Sequence, residues 1–371
     1  MFRRKFRLAV VCLLSVALLL ALNVQVALPQ TQTGAEVGLN GETVTITASE
    51  KDQEAALQMW ATREQRAAAK PLPFPEASPE ELKEIGEDLT GKPGLASGGS
   101  ADPQANIVAQ MEFSEEWQAL LEELDAAEAS AAPQGTAAVY TSYRTNVYTT
   151  MWKYYPYYAV GKLYITGGGY CSASVISVGT AANGTRSIIV TAGHCVYDRE
   201  HGKWYPGWTF VPADRNGSAP YGTFPAWRAR TLTNYITTGA TRYDVAVISL
   251  GKNSAGQKAT YYTGWLGRSW NYGSTQSLHA QGYPSNLESG KYTYTCAAES
   301  FSGGTDVLGM GCNMTFGSSG GPWIRVFDPY QSGARNYVNS VVSGGTPGTN
   351  TFYGARFSNS NIVPLCADEG C

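Results

Sequence analysis

No two cysteines of this 371-residue chain show the CxxC spacing of a zinc site, so neither a metal nor another cofactor is expected. Beyond Leu22 no apolar run reaches the roughly twenty residues that a membrane helix needs. Lysine and arginine are scattered and nowhere clustered with aromatics, which argues against a nucleic-acid partner. No internal repeat is present, and this excludes a solenoid. Histidine is scarce as well: His194, His201 and His279 are the only three, so chemistry that needs an imidazole has few candidates.

What is present divides the chain into three. Arg3, Arg4, Lys5 and Arg7 precede the uncharged apolar run Leu8–Leu22, a signal-peptide pattern with cleavage expected near Ala21 or Ala27. Its competitor is an uncleaved signal anchor. Residues 29–138 hold 20 acidic and 6 basic residues, a net of −14, and no cysteine. Residues 139–371 hold 10 acidic and 17 basic residues, a net of +7. An acidic segment is thus joined to a basic one, although salt screens attraction between exposed charges. Ala55, Leu57, Trp60 and Ala61 predict a helix over residues 50–70, broken by Pro71, Pro73, Pro75 and Pro79. Further helices are expected over 79–89 and 112–129. Residues 91–103 read as a Gly/Ser/Pro linker. Residues 28–138 are therefore read as an acidic, partly helical propeptide cut off between Ala129 and Arg144. The competing reading is a disordered acidic tail.

From Val139 the texture changes to short alternating runs rich in Val, Ile, Tyr and Thr, split by turns about every ten residues. Runs at 159–165, 174–178, 186–191, 244–250, 292–296, 321–326, 338–343 and 352–356 predict an all-β sandwich or barrel. Six cysteines fall here, Cys171, Cys195, Cys296, Cys312, Cys366 and Cys371. An even number after a signal peptide implies disulfides, with fifteen possible pairings.

Three segments carry candidate chemistry. Ile189-Val-Thr-Ala-Gly-His-Cys-Val196 runs a strand into a small-residue turn presenting His194, a side chain suited to take and return a proton near neutrality. Tyr243-Asp-Val-Ala-Val-Ile-Ser-Leu250 places Asp244 at the head of an apolar strand, where a carboxylate can fix a histidine tautomer. Gly317-Ser-Ser-Gly-Gly-Pro-Trp323 is a glycine-rich loop offering Ser319 as nucleophile, with the N–H groups of Gly317 and Ser319 as an oxyanion hole. Each alone has a plainer reading: a structural histidine, a surface cap, an ordinary loop. Order along the chain discriminates. The loop also fits G-x-S-x-G, but that fold places its histidine after the serine, and here all three precede Ser319. Subtilisin order is met on paper by Asp244, His279 and Ser319, but the texture lacks alternating helices. His194, Asp244, Ser319 follow the chymotrypsin order.

On these segments, together with Ala159-Val-Gly-Lys-Leu163 and Cys171-Ser-Ala-Ser-Val175, residues 150–358 resemble chymotrypsin-type serine peptidases, in the branch containing the bacterial glutamyl endopeptidases. The resemblance implies a double β-barrel with the triad between the barrels, and a secreted, extracellular endopeptidase of protein or peptide substrates. It implies disulfides Cys171–Cys195, Cys296–Cys312 and Cys366–Cys371, the first contributing about 3–4 kcal/mol on the chain-entropy account. It places Asn313, Phe316, Ser343 and Gly345 in the primary specificity pocket. Asn313 stands where trypsin has an aspartate, which argues against Lys/Arg preference. Val342 stands where Glu-specific relatives carry histidine, so a neutral or small residue is expected before the scissile bond. Ser318 replaces the aspartate that pairs with a new N-terminus in trypsin-like activation, so removal of a blocking propeptide is expected instead. A monomer is expected, with its own propeptide as partner and no membrane association once the signal is removed. The competing function is a catalytically silent relative that binds peptides or a partner.

Overall fold

A computed structural model describes residues 35–38, 40–73, 75–76, 91–102, 140–144, 155–179, 186–329, 333–346 and 349–371. The signal segment and the helices expected over 79–89 and 112–129 lie outside these residues.

Six strands form the first barrel: β6 (Val160–Ile165), β7 (Gly169–Ser177), β8 (Ser187–Thr191), β11 (Trp208–Pro212), β12 (Phe224–Leu232) and β13 (Ala246–Leu250). They run in the order β12-β11-β6-β7-β8-β13 and close through β12–β13, so the barrel leaves no free edge there. A small ribbon, β9 (Tyr197–Asp198) with β10 (Lys203–Trp204), follows the end of β8. The second half is a curled sheet of β5 (Tyr140–Arg144), β15 (Ser277–Gly282), β16 (Tyr294–Glu299), β17 (Phe301–Ser302), β18 (Val307–Gly311), β19 (Pro322–Arg325), β20 (Tyr337–Gly345) and β21 (Thr351–Arg356). Its order is β17-β18-β21-β20-β19-β15-β16-β5, and β14 (Gly267–Trp270) adds to β20. This is the expected all-β, chymotrypsin-type arrangement of two barrels. The first is filled by residues such as Leu163, Ile189, Phe210, Phe224 and Ile248; the second by Leu278, Met310, Trp323 and Phe352 around Cys296–Cys312. Disulfides also join Cys171 to Cys195 and Cys366 to Cys371.

The acidic N-terminal segment is built into this frame. Strand β2 (Thr43–Thr47), in a hairpin with β1 (Ala35–Val37), pairs with β12 from Thr43↔Leu232 to Thr47↔Arg228. The single helix expected over 50–70 is two: α1 (Glu50–Met59) and α2 (Arg63–Ala67). Ser49 and Thr62 each start one with a capping box, so the second start signal ends the first helix. Arg66 stabilises the break by donating to the carbonyls of Trp60 (2.6 Å) and Ala61 (2.9 Å), and to Gly217 (2.7 Å) in the first barrel. Trp60 packs on Tyr164 with ring centroids 5.1 Å apart. Strand β3 (Lys70–Pro71) then pairs with β7. The expected linker over 91–103 contains β4 (Gly94–Ala96), paired antiparallel with β14: Gly94 lies against Trp270, where a Cβ would fall 2.3 Å from the indole ring. Three further helices are short: α3 (Thr233–Thr238), α4 (Ala259–Thr263) and the C-terminal α5 (Ile362–Glu369). Among the described residues no helix is long and apolar enough to cross a membrane.

One ionic cluster binds the two ends of the chain. The buried Glu369 accepts from Arg228 (2.9 Å), Arg230 (3.1 Å) and the Ser249 hydroxyl, while Thr43 of β2 donates to Asp368 (2.6 Å) and accepts from Arg230 (2.9 Å). Removing one member strands the others in a dry site. Glu369→Ala is therefore expected to cost about 3–5 kcal/mol and to lower Tm by on the order of 10 °C, as read by calorimetry.

Candidate active site

Strand register brings the first two candidates together. β8 pairs antiparallel with β13, and Thr191 lies opposite Ala246. Three residues past Thr191, the 3₁₀ turn Gly193–Cys195 presents His194; two residues before Ala246, Asp244 ends the turn Thr241–Tyr243. The two therefore meet at the end of the barrel. Asp244 accepts the main-chain N–H of His194 (2.8 Å) through one oxygen and the ring Nδ1–H (2.8 Å) through the other. A carboxylate only accepts, so Nδ1 carries the proton and Nε2 presents its lone pair. Nε2 is buried and makes no hydrogen bond among the described residues. The Cys171–Cys195 bond ties this turn to β7.

Ser319 lies in the loop between β18 and β19. Gly317 and Gly320 adopt positive φ, +89° and +77°. A Cβ at Gly317 would fall 2.5 Å from the Tyr170 ring, and one at Gly320 would fall 2.0 Å from the Thr191 hydroxyl. Only glycine fits either place, and the second contact seats the loop against Thr191, three residues before His194. Ser318, Gly320 and Gly321 donate their N–H groups to Thr315, Val342 and Ser318 carbonyls. Among the described residues the N–H groups of Gly317 and Ser319 have no such acceptor, nor has the buried Ser319 hydroxyl a partner. The competing hydroxyl, Ser318, is buried and donates to the Thr315 carbonyl (2.6 Å).

Ser172 of β7 joins the loop to the first barrel. Its N–H donates to the Ser319 carbonyl (2.7 Å), and its hydroxyl donates to the Gly317 carbonyl (2.8 Å) while accepting from the Tyr283 N–H (2.9 Å). Its own carbonyl accepts from the Thr191 hydroxyl (2.9 Å). Behind the loop stand Tyr170 and Tyr283, whose phenol pKa values burial pushes far up, so both stay neutral. The Lys162 ammonium, beside Asp214 (3.8 Å), sits 4.4 Å from the Tyr170 ring centroid.

A cavity of about 520 Å³ opens beside His194, walled by Tyr197, Tyr205, Tyr235, Thr241, Asp244, Ser343 and Gly344. Residues 198–201 and Gly239 add to this wall, and a further part comes from the N-terminal residues Leu72, Pro73, Pro75 and Glu76. Leu72 donates its N–H to the Tyr170 carbonyl (3.0 Å) on one side, and the Pro75 carbonyl accepts from Gly345 N–H (3.1 Å) on the other. Of the expected pocket residues, Ser343 lines the cavity and Gly345 holds Pro75, whereas Asn313 and Phe316 lie outside its walls, Phe316 being 46% exposed. His279 stacks on Phe327, centroids 4.3 Å apart, and burial lowers its pKa; with Asp244 bound to His194, the subtilisin-order reading has no pair. His201 pairs with Asp198 (2.7 Å) on the exposed rim. Cys171, His194 and Cys195 are clustered like metal ligands, but the two sulfurs are bonded to each other and the Nδ1 proton goes to Asp244, so the donor set does not suit a cation. Sequence reasoning missed Ser172 and the segment Lys70–Glu76. The alternating prolines of the latter, read as helix breakers, were also a signal for extended chain.

No protein-family profile matches the chain. The extracellular metalloprotease of Bacillus subtilis is 28% identical over 190 residues, 50% of this chain and 48% of that protein, so the match spans about half the relative's length. Among solved structures, protease Anisep from Arthrobacter nicotinovorans is 29% identical with a TM-score of 0.50, over 58% of this chain and 96% of its own. Thermostable serine protease AL20 from an extremophilic microorganism is 26% identical with a TM-score of 0.50, over 57% of this chain and 97% of its own. A Glu endopeptidase, 17% identical with a TM-score of 0.52 over 64% of this chain and 99% of its own, shares the fold. The chain thus has the chymotrypsin-type double-barrel fold and is similar to bacterial serine proteases of that fold.

Proposed function

We propose that the chain is a secreted serine endopeptidase, made with a signal segment (residues 1–27) and an acidic propeptide (28–138) ahead of the peptidase domain. The observation that carries this reading is the His194–Asp244 pair, which leaves Nε2 unbonded beside a loop whose Ser319 hydroxyl and two N–H groups are also unbonded. Buried polar groups without partners cost about 1–3 kcal/mol each, so a folded chain retains several in one cleft where they serve a ligand.

In the proposed reaction Ser319 Oγ attacks a peptide carbonyl carbon as its proton passes to His194 Nε2. The carbonyl oxygen becomes an oxyanion held by the N–H groups of Gly317 and Ser319. Asp244 stabilises the imidazolium. His194 then protonates the leaving amine, the C–N bond breaks, and water repeats the sequence on the acyl-enzyme. The Ser319 hydroxyl and His194 Nε2 are not hydrogen-bonded to each other in the structure, and a catalytic contact of this kind closes when substrate is bound. The metalloprotease name of the Bacillus relative is not carried over, because the residues here suit acyl transfer through serine. Substrates are proteins or peptides with a neutral or small residue before the scissile bond; Val342, apolar and buried in the second core, offers no positive charge for glutamate. Asn313, Phe316, Ser343 and Gly345 remain the proposed pocket, and the mature enzyme acts as a monomer.

A fluorophosphonate probe applied to the matured, secreted protein is expected to label Ser319, mapped by mass spectrometry, and to leave Ser319→Ala unlabelled; equal labelling of both would refute the assignment. The same sample is expected to begin between Ala129 and Arg144. Asp244→Asn, which permits the wrong tautomer, is expected to lower kcat by about 10⁴-fold. Ser172→Ala removes the hydroxyl that orients the Gly317 carbonyl. It is expected to lower kcat about tenfold with KM little changed, as read by steady-state kinetics on a chromogenic peptide.

A further inference from the structure

The segment Lys70–Pro73 with Pro75 and Glu76 crosses the cleft from one barrel to the other. Lys70 and Pro71 pair in parallel with Gly169 and Tyr170 of β7, and Glu76 bridges Gly345 of β20, again in parallel. Both crossing ends are sealed by glycines at which a side chain would collide with the segment. A Cβ at Gly169 would lie 2.5 Å from Leu72 Cδ2, and one at Gly344 would lie 2.1 Å from the Pro75 carbonyl oxygen. Between these ends Leu72, Pro73 and Pro75 share a cavity with His194, and the Ser319 hydroxyl is buried.

From this we propose that Lys70–Glu76 is a resident inhibitor of the cleft, and that the cleft's ligand class is an extended peptide with proline at alternate positions. The proposal rests on the reading of His194, Asp244 and Ser319 as the triad. Three properties suit the segment to the task. Its main chain offers the two hydrogen bonds a peptide ligand needs, an N–H to the Tyr170 carbonyl and a carbonyl to Gly345 N–H. Pro71, Pro73 and Pro75 fix φ near −65° at every second residue, so little chain entropy is lost on binding. The prolines also leave three X–Pro bonds in the crossing, whose nitrogens carry no N–H and are crowded by the ring. Docking is reinforced upstream by Arg66 on Gly217 and by Arg63 donating to the Asn216 carbonyl (3.3 Å). The segment is thus held by its neighbours and does not depend on cleft contacts alone.

The test uses the full-length chain with its propeptide attached and follows the rate of fluorophosphonate labelling at Ser319. Wild type is expected to label slowly. The double variant Pro73→Gly/Pro75→Gly, which keeps the carbonyls but loses the preset backbone, is expected to label about tenfold faster. A synthetic peptide of residues 70–76 added in excess is expected to slow the variant again. Circular dichroism checks that the variant is folded; Leu72→Ser, which loosens the Gly169 contact, serves in its place otherwise. Equal and rapid labelling of wild type and variant overturns the proposal while leaving the triad standing. No labelling of either form, nor of the matured protein, overturns the triad reading and the proposal with it.

Discussion

The cleft depends on the register of β8 against β13. With Thr191 opposite Ala246, the residues that extend past one strand and precede the other are His194 and Asp244. A slip of one residue would turn every side chain of β8 to the opposite face. The buried hydroxyls of Ser187 and Thr191 on β8 are bonded to Thr260 and to the Ser172 carbonyl, so such a slip would strand both. The Asp244 carboxylate then performs two separate tasks. Its bond to the His194 main-chain N–H fixes where the imidazole is attached, and its bond to Nδ1 fixes which nitrogen is left basic. Two charge-assisted hydrogen bonds offset the cost of holding the carboxylate nearly out of water.

The nucleophile loop belongs to the second sheet but is positioned from the first barrel. Ser172 lies on β7 one residue past the disulfide, and its N–H and hydroxyl both reach carbonyls of the loop, those of Ser319 and Gly317. Because its carbonyl is held by Thr191, the same residue connects the loop to the strand that delivers His194. The relative placement of the candidate groups therefore does not rely on the packing of the two halves alone. It rests on one strand clamped between the His turn and the serine loop, the rigid support that catalytic geometry demands. The positive φ values at Gly317 and Gly320 are part of the same arrangement, a loop in which the N–H groups of Gly317 and Ser319 have no carbonyl partner among the described residues while that of Gly320 bonds to Val342.

The residues with candidate chemistry were legible in sequence because each stands in a short word where a strand meets a turn, and such local transitions are what periodicity reports. The positions of β6, β8, β20 and β21 followed from the same alternation to within a few residues. β11, β12, β15 and β18 were not read because their residues depart from the Val/Ile/Tyr/Thr texture: Phe224–Leu232 carries Pro225, Arg228 and Arg230, Ser277–Gly282 carries His279 and Gln281, Val307–Gly311 carries two glycines, and Trp208–Pro212 ends in proline. Ser172 was invisible for a different reason. In Cys171-Ser-Ala-Ser-Val175 nothing local separates Ser172 from Ser174, and only contacts more than a hundred residues distant do so. The helix expected over 50–70 was read correctly in kind, but the second capping signal at Thr62 was passed over in favour of a continuous apolar stripe.

The N-terminal segment poses an energetic problem that its own contacts answer. Thr43 binds Asp368 across 325 positions of sequence, so this segment helps to hold the last helix against β12. Such distant contacts demand long loop closures and form late unless a template gathers the partners. If the segment is removed after folding, as proposed, it must not leave a sticky edge behind, because an unpaired strand invites association with other chains. The edge that β2 covers carries Arg228 and Arg230, and Glu369 anchors both guanidinium groups. Loss of β2 would uncover a short stretch of charged side chains held in ion pairs, a kind of edge that resists pairing with another chain. The same Arg–Glu cluster would then keep α5 in place without Thr43. The ion network that receives the N-terminal segment is thus also what would allow the peptidase domain to outlast it.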